Sequence, residues 1–146
     1  MIKDYLQLVT LKKQDTNFKN IKITSSLETY DFIKSFYFDD IDIYESFFVL
    51  MLNNSNTTIS YAKISQGGIT GTIVDLRIIA KYAIDSLATS VILAHNHPSG
   101  KLQESDQDRI ITKKIKLGLE TLDIKVLDHI ILTSKGYFSF NDQGIL

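Results

Sequence analysis

Two short, intensely apolar runs constrain the fold more than any other feature of this sequence. They are Ser46–Leu52 (SFFVLML) and Ser90–Ala94 (SVILA). Apolar runs of this length that are bounded by polar or turn residues are typical of strands buried within a sheet. Both runs therefore predict buried strands of a central sheet.

Helical and extended patterns alternate along the rest of the chain. A serine followed by an acidic residue is a helix start signal, and short apolar runs between turn residues indicate strands. The predicted helices are Ser25 or Ser26 to about Tyr37, Leu76–Ala88 and Ser105–Leu122, and the further strands are Tyr5–Lys12, Thr57–Ile64, Ile124–Leu132 and Tyr137–Phe140. This order predicts an α/β (α+β) fold in which helices flank a central mixed β-sheet.

The composition restricts the class of protein. The chain has 146 residues, 44% of them hydrophobic and 23% charged, which predicts one soluble globular domain over residues 1–146. It contains no cysteine, and this excludes thiolate zinc sites, cysteine nucleophiles and disulfide frameworks. A protein without disulfides fits the reducing cytoplasm, so we expect a cytoplasmic location.

Hydropathy and charge argue against a membrane protein and against a dedicated DNA-binding protein. No apolar run approaches the roughly 18 residues of a spanning helix. Met1–Thr10 lacks the apolar core of a signal peptide. The net charge is −1, whereas proteins that bind duplex DNA usually carry a basic surplus. We therefore expect neither a membrane partner nor direct DNA binding.

Two histidines follow the second apolar run, where the strand is predicted to end. Because His95 and His97 are two residues apart, an extended chain directs both imidazoles to one side and Asn96 to the other. Pro98 cannot continue the hydrogen-bond ladder of a strand, and Gly100 lets the backbone turn. Since imidazole nitrogens are good zinc ligands, this strand end is a candidate metal site that faces solvent.

An aspartate in the next predicted helix completes the candidate site. Asp108 precedes Ile111 by three residues and Ile115 by seven, which places its carboxylate on the apolar stripe that faces the sheet. A carboxylate there needs a partner to offset its desolvation. Two histidines and one aspartate leave the fourth tetrahedral position for water, as in a catalytic zinc site, where zinc lowers the pKa of that water toward roughly 7.

Plainer interpretations of the same residues stay open. Ser105 and Asp108 have the spacing of a capping box, in which each side chain satisfies a backbone amide of the other residue. The run from His97 to Gly100 is also compatible with an ordinary turn. A capping box and a metal site do not exclude each other.

The residues from His95 to Asp108 form a longer pattern, HNHPSG followed by Ser105-x-x-Asp108. This pattern resembles the JAMM signature of the JAB/MPN metalloprotease family. The spelling HNHPSG, together with Leu127–Leu132 (LDHIIL) and Gly136–Phe140 (GYFSF), is similar to the bacterial RadC branch. The resemblance covers the chain from about residue 21 to the C-terminus and implies a cytidine-deaminase-like JAB/MPN fold.

The resemblance implies a role for each residue of the pattern. It implies that His95, His97 and Asp108 bind one zinc ion per chain. It also implies that Ser105 helps to stabilise the oxyanion when the carbonyl is attacked. The family uses an upstream glutamate as general acid and base, and the best match is Glu45, just before the first apolar run. The alternative for Glu45 is a solvated acid at a strand start.

The function implied by the resemblance is hydrolysis of a peptide or isopeptide bond by a zinc-activated water. One alternative is a RadC-like protein associated with DNA repair, which acts on or beside DNA and has DNA-repair or mobile-element proteins as partners. Another is a non-catalytic MPN scaffold. Full-length RadC proteins carry an N-terminal helix-hairpin-helix region. We expect this region to be absent, because only about twenty residues precede the resemblance. The sequence predicts no oligomeric state.

The third histidine of the chain lies in a different predicted strand. His129 follows Asp128 within the apolar run LDHIIL. Its surroundings favour a buried, hydrogen-bonded histidine over a metal ligand. Asp128 is a candidate partner of the imidazole or a residue that orients the site from behind the ligands.

Overall fold

A computed structural model describes residues 6–9, 12–37, 39–68 and 73–146. These residues form three helices and five strands. The helices are α1 (Ser26–Lys34), α2 (Leu76–Asp85) and α3 (Asp106–Glu120), and the strands are β1 (Ser46–Leu52), β2 (Thr58–Gln66), β3 (Ser90–Asn96), β4 (Lys125–Thr133) and β5 (Gly136–Ser139).

The five strands form one mixed sheet in the order β2-β1-β3-β4-β5. Strand β1 is antiparallel to both β2 and β3, β3 is parallel to β4, and β5 is antiparallel to β4. A parallel pair needs a long crossover connection, and α3 lies in the one between β3 and β4. The predicted α+β architecture with a central mixed sheet is confirmed, and it is consistent with the JAB/MPN fold.

Helices cover both faces of the sheet, so its central strands are buried along their whole length. Strands β1 and β3 have no exposed residue, which explains why their sequences are continuous apolar runs without alternation. On one face the core includes Val49, Leu93, Ile79 of α2 and Ile115 and Leu119 of α3. On the other face it includes Leu50, Ile92, Ile130 and Ile33 of α1.

The alternation of side chains continues to the end of β3 and separates its last residues. Leu93 belongs to the core under α2 and α3, and His95 follows it on the same face. Ile92 and Ala94 belong to the core under α1, and Asn96 follows them on that face. The strand end therefore presents a histidine to one layer of the protein and an amide to the other.

The predicted elements agree with the observed ones except at the N-terminus. Residues 6–9 and 12 have no regular secondary structure, and the rest of the strand predicted over Tyr5–Lys12 lies outside the described residues. Within the described part of the N-terminal segment, a single isolated bridge, between Lys22 and Thr57, pairs the backbone with the sheet. None of the three described helices has the length and apolarity needed to cross a lipid bilayer.

Candidate metal centre

The two histidines lie where β3 leaves the sheet. His95 is the penultimate residue of β3 and pairs with Phe47 of β1. His97 follows the strand, and its backbone N–H donates to the Leu132 carbonyl of β4 at 2.9 Å. Gly100 then adopts a φ of 83°, in the left-handed region that favours glycine, and the chain turns away. The turn leaves both imidazoles at the C-terminal end of β3.

The three predicted ligands converge on one point. Nε2 of His95 and Nε2 of His97 are 3.0 Å apart. Helix α3 places the Asp108 carboxylate against them, with Oδ1 3.3 Å from Nε2 of His95 and Oδ2 3.3 Å from Nε2 of His97. The Asp108 side chain is only 16% exposed, in agreement with its predicted place on the inner side of the helix. The two imidazole nitrogens and the carboxylate therefore face one another at 3.0–3.3 Å.

Glu45 reaches the same place from the neighbouring strand. Because Phe47 lies opposite His95 in an antiparallel pair, Glu45 falls opposite His97 where the ladder would continue. Glu45, His95 and His97 each offer a donor atom, and these atoms all lie within 4.8 Å of one another. The structure therefore brings Glu45 to the candidate site, and its role as general base stays a prediction.

The first residue before α3 holds the aspartate in position. Ser105 is the N-cap of α3, and its Oγ accepts a hydrogen bond from the Asp108 backbone N–H at 3.1 Å. Asp108 Oδ2 accepts one from the Ser105 N–H at 2.8 Å. The predicted capping box is thus confirmed. A hydroxyl that accepts one hydrogen bond still has a proton to donate, so the cap is compatible with the catalytic role predicted for Ser105.

The outer nitrogens of both imidazoles are engaged by the protein. His97 Nδ1 lies 2.8 Å from the Lys101 carbonyl. A carbonyl only accepts, so Nδ1 of His97 carries the proton in the neutral imidazole and Nε2 keeps its lone pair. His95 Nδ1 lies 2.7 Å from Nε2 of His129. In both histidines the remaining nitrogen, Nε2, faces Asp108.

His129 is buried and hydrogen bonded, as predicted, but its partners are different from the one proposed. Its imidazole contacts His95 on one side and Thr112 of α3 on the other. Asp128 instead accepts a hydrogen bond from the backbone N–H of His129 at 2.7 Å, and its other oxygen accepts one from the Ser139 hydroxyl at 2.6 Å. Asp128 therefore joins β4 to β5 and does not orient the imidazole.

Burial and charge shift the pKa values in this cluster in different directions. Burial alone would raise the pKa of Asp108, but His95 and His97 hold it well below its usual range, because the protonated forms of both imidazoles donate to the carboxylate. Burial would also lower the pKa of His97, but Asp108 and the Lys101 carbonyl raise it overall. Burial and the nearby charge of His95 hold the pKa of His129 well below its usual value. The centre thus has a carboxylate that stays ionised and can attract a cation.

On the opposite face of the strand end, a single amide fixes the segment that contains Glu45. Asn96 Nδ2 donates to the carbonyls of Ile41 and Tyr44 at 2.6 and 2.7 Å. Its Oδ1 accepts a hydrogen bond from the Ser46 N–H at 2.8 Å. Because Tyr44 and Ser46 flank Glu45, this amide holds the backbone of Glu45 against the strand that presents the two histidines.

A comparison with protein families places this chain in a known group. The model of the RadC-like JAB domain matches residues 23–145, which include every helix and strand described above. The chain belongs to the RadC-like JAB domain family. The resemblance deduced from the HNHPSG pattern is therefore confirmed.

This RadC-like JAB domain is similar to several curated bacterial proteins that share the name UPF0758 protein. The one from Flavobacterium johnsoniae is 46% identical over 140 residues, which cover 96% of this chain and 60% of that protein. A relative from Porphyromonas gingivalis is 42% identical over 103 residues, 70% of this chain and 45% of that protein. One from Chlorobaculum tepidum is 35% identical over 127 residues, 87% of this chain and 56% of that protein. The chain thus spans 45–60% of the length of these relatives.

Two side chains of the RadC-like centre have no role in the sequence analysis, although each left a signal. Thr112 lies four residues after Asp108, so the two share one face of α3. Asn96 lies between the two histidines but on the other face of a buried strand. A polar side chain at such a position needs hydrogen-bond partners. The spacing and the burial therefore indicate that both side chains make polar contacts, but not which groups they contact.

Proposed function

We propose that this RadC-like JAB domain is a zinc-dependent hydrolase that cleaves peptide or isopeptide bonds. The observation that supports the metal is the cluster formed by Nε2 of His95, Nε2 of His97 and the Asp108 carboxylate. The two nitrogens are 3.0 Å apart, and each lies 3.3 Å from a different oxygen of the carboxylate. A tetrahedral zinc ion with nitrogen and oxygen ligands at about 2.0–2.1 Å requires donor separations of about 3.3 Å. The three side chains therefore fit a zinc ion and leave its fourth position free.

The proposal assigns Asp108 as the third ligand and Glu45 as the general base. Each oxygen of Asp108 lies 3.3 Å from Nε2 of one imidazole, and the Glu45 donor atom lies within 4.8 Å of a nitrogen of both imidazoles. With Asp108 as the third ligand, the Glu45 carboxylate would lie beside the attacking water. This position suits a general base, which has to reach the water that it deprotonates directly.

The proposed reaction uses Glu45 and Ser105 at successive stages. When bound, zinc would supply the Lewis acid that polarises the carbonyl and lowers the pKa of a water toward about 7. Glu45 takes a proton from the attacking water as the oxygen of that water adds to the carbonyl carbon. Glu45 then delivers that proton to the leaving nitrogen as the carbon–nitrogen bond breaks. Ser105 donates a hydrogen bond to the carbonyl oxygen as it gains negative charge.

Metal analysis of the purified protein tests the first part of this proposal. Protein prepared without chelators is expected to hold about one zinc per chain, as a site with three protein ligands does, and His97→Ala is expected to lose it. Asp106→Ala is the matched control, since Asp106 is an exposed acid in the first turn of α3. Wild-type protein that takes up no zinc would overturn the proposal.

Hydrolysis of a panel of fluorogenic peptides and lysine isopeptides tests the second part. Glu45→Gln is expected to keep its zinc and to lose activity by about 10²–10⁴-fold, the usual contribution of a general base. Asp42→Asn changes an exposed acid in the same loop and is the control. If Glu45→Gln loses zinc instead, Glu45 is a ligand, and if hydrolysis persists at the wild-type rate, Glu45 is not the base.

The proposal includes proteins of DNA repair or of mobile elements as partners, but it does not include direct binding to DNA. The net charge of −1 gives this chain little of the phosphate attraction on which non-specific DNA binding depends. Binding of the domain to duplex DNA is therefore expected to be weak at physiological salt. Tight binding in a mobility-shift assay would favour a direct role on DNA.

A further inference from the structure

A chain of short contacts runs from His95 back into helix α3. His95 Nδ1 lies 2.7 Å from Nε2 of His129, and Nδ1 of His129 lies 2.6 Å from Oγ1 of Thr112. The Thr112 hydroxyl donates to the backbone carbonyl of Asp108, also at 2.6 Å. This series of contacts therefore begins at one proposed zinc ligand, His95, and ends on the backbone of another, Asp108.

The direction of every hydrogen bond in this series follows from the acceptor at its end, the backbone carbonyl of Asp108. The carbonyl of Asp108 has no proton, so the single proton of the Thr112 hydroxyl is used there. Oγ1 of Thr112 must then accept, and Nδ1 of His129 must donate to it. A neutral imidazole has only one N–H, so Nε2 of His129 accepts a hydrogen bond from Nδ1 of His95.

We propose that Thr112 and His129 are positioning residues that hold His95 in the tautomer with a free Nε2 lone pair, the form that can bind a metal. This inference rests on the proposed zinc site and extends it to two residues that contact no substrate. It gives a reason for burying a histidine and a threonine together between the sheet and α3, where purely apolar side chains would pack more simply.

The packing around His129 keeps this series of hydrogen bonds fixed. His129 is fully buried, and its ring stacks on that of Phe140 at a centroid distance of 4.8 Å. The Phe47 ring contacts the edge of His129 and stacks on the His95 ring at a centroid distance of 5.9 Å. Aromatic neighbours offer no competing hydrogen bonds and exclude water from the contact. The orientation of His95 therefore depends on His129 rather than on solvent.

His97 reaches the same tautomer by a simpler contact. Its Nδ1 faces the Lys101 carbonyl directly at 2.8 Å, in a loop near the surface. His95 lies deeper, and the carbonyl that determines its tautomer is two side chains away. Two unrelated arrangements thus leave both Nε2 atoms facing Asp108, as expected if that orientation is required for function.

The opposite arrangement of protons gives a clear alternative. If the Thr112 hydroxyl donated to Nδ1 of His129, then Nε2 of His129 would donate to His95, and Nε2 of His95 would be protonated. Long-range proton–nitrogen NMR spectra of the histidine rings distinguish the two arrangements in the wild-type protein, both with and without zinc. We expect His129 and His95 protonated at Nδ1 in both samples. Protonation of both rings at Nε2 in the zinc-free protein would overturn the proposal.

Two variants at one position test the consequence for the metal. Thr112→Val keeps the shape of the side chain but removes the hydroxyl, and Thr112→Ser keeps the hydroxyl. We expect the zinc dissociation constant of Thr112→Val to rise by about 10–100-fold, the usual effect of losing a partner behind a ligand. Thr112→Ser should bind zinc within about threefold of wild type, and the NMR spectra of Thr112→Val should show His95 in a mixture of tautomers.

The outcomes separate this inference from the zinc site itself. Wild-type protein that binds no zinc contradicts the proposed function, whatever the variants do. Wild-type protein that binds zinc, with Thr112→Val binding equally tightly, contradicts the positioning role alone. Because the loss of the Thr112 hydroxyl is expected to lower the melting temperature, zinc titrations are run at a temperature where circular dichroism shows Thr112→Val folded. If it does not fold at any temperature, the wild-type tautomer spectra still decide between the two arrangements.

Discussion

The last residues of β3 form two polar clusters on opposite faces of the same sheet, and the two are built differently. On the α3 face, Nε2 atoms of His95 and His97 and the carboxylate of Asp108 point toward a common centre. On the α1 face, Asn96 has both of its amide groups paired with backbone atoms. Lone pairs that converge call for a shared proton or cation, whereas paired amides do not. One strand end thus combines a site for binding with a purely structural contact.

This difference predicts that changes on the two faces separate metal binding from stability. Replacing a residue on the histidine face should remove zinc while the zinc-free fold persists. Replacing Asn96 should lower stability while the zinc ligands stay in place. The separation is a stringent test, because His95 and Asn96 are adjacent in the chain.

The largest effect is expected for Asp108→Ala. It removes the anionic donor that lies 3.3 Å from both imidazoles, so zinc affinity should fall by more than about 100-fold, beyond the loss caused by removing an outer partner. The zinc-free variant loses part of its helix cap, at a cost of about 1 kcal/mol. Competition with a chromophoric chelator measures the affinity, and urea unfolding in chelator measures the stability.

Asp106→Ala is the control for this change as well, because it removes an acid of the same helical turn that is exposed. It should bind zinc as the wild type does. If Asp108→Ala also binds zinc as tightly as wild type, the third ligand is not Asp108, and the group of Glu45, His95 and His97 becomes the better assignment.

The second effect is a loss of stability in Asn96→Ala. The change leaves the Ser46 N–H and the carbonyls of Ile41 and Tyr44 without this partner, and unfolding free energy should fall by about 2–4 kcal/mol. Zinc affinity, measured under conditions where the variant is folded, should change by less than about threefold. A loss of zinc comparable to that of Asp108→Ala would mean that the two faces are not independent.

Asn96→Asp sharpens the same test. Its carboxylate keeps an acceptor for the Ser46 N–H but places an oxygen against two carbonyls that accept from the amide in the wild type. It should therefore be at least as unstable as Asn96→Ala. Asn141→Ala, at an exposed turn position, is the control for the loss of an amide. If Asn96→Asp is as stable as wild type, the amide donors have been assigned to the wrong groups.

The third effect is a pH dependence confined to the histidine face. Asp108 and the Lys101 carbonyl raise the pKa of His97 despite its burial. Zinc needs the unprotonated imidazole, so protons compete with it below that pKa. Affinity should therefore fall by about tenfold per pH unit as the pH drops through the raised pKa, starting above the ordinary histidine value of about 6.5.

The amide contacts of Asn96 do not titrate, which provides the comparison. The stability difference between wild type and Asn96→Ala should be the same, within about 0.5 kcal/mol, across the pH range in which zinc affinity changes. Zinc titrations at a series of pH values, each paired with urea unfolding, measure both. A zinc affinity that is constant down to the ordinary histidine pKa would contradict the raised pKa of His97.

The fold was predictable where burial leaves a simple pattern. The limits predicted for β1, Ser46–Leu52, agree with the observed strand, because a strand covered on both faces has a continuous apolar sequence that ends at polar residues. The strand expected over Tyr5–Lys12 shows the converse. Its mixture of apolar and polar residues is compatible with a strand, but strand formation depends on a neighbour that the local sequence does not reveal.

In the candidate site, too, the sequence predicted the local pattern but not the contacts between distant segments. His95, His97 and Asp108 lie within fourteen residues of sequence, and the spacing alone places the two imidazoles on one side and the carboxylate on the inner face of α3. The contacts behind them join distant segments, since His129 is 34 residues from His95 and 17 from Thr112. Such contacts depend on how α3 packs on β4, so the sequence indicated a buried histidine but not its partners.

The smallest effect is expected for Tyr37→Phe, at the edge of the amide cluster. The Tyr37 hydroxyl is buried and donates to the Ser46 carbonyl at 2.9 Å. Burial and the charges of Glu45 and Asp40 hold its pKa well above the usual value, so it stays protonated and remains a donor. Removing one neutral hydrogen bond should lower unfolding free energy by about 1 kcal/mol.

Tyr37→Phe also measures how sharply the two faces are separated. Zinc affinity should be unchanged, because Ser46 faces away from the histidines and Asn96 still holds its backbone N–H. Tyr44→Phe, which removes a hydroxyl from a more exposed ring, is the matched control. If Tyr37→Phe weakens zinc binding more than it lowers stability, the backbone around Ser46 transmits changes to the metal centre. The amide cluster would then be part of the site and not only a support for it.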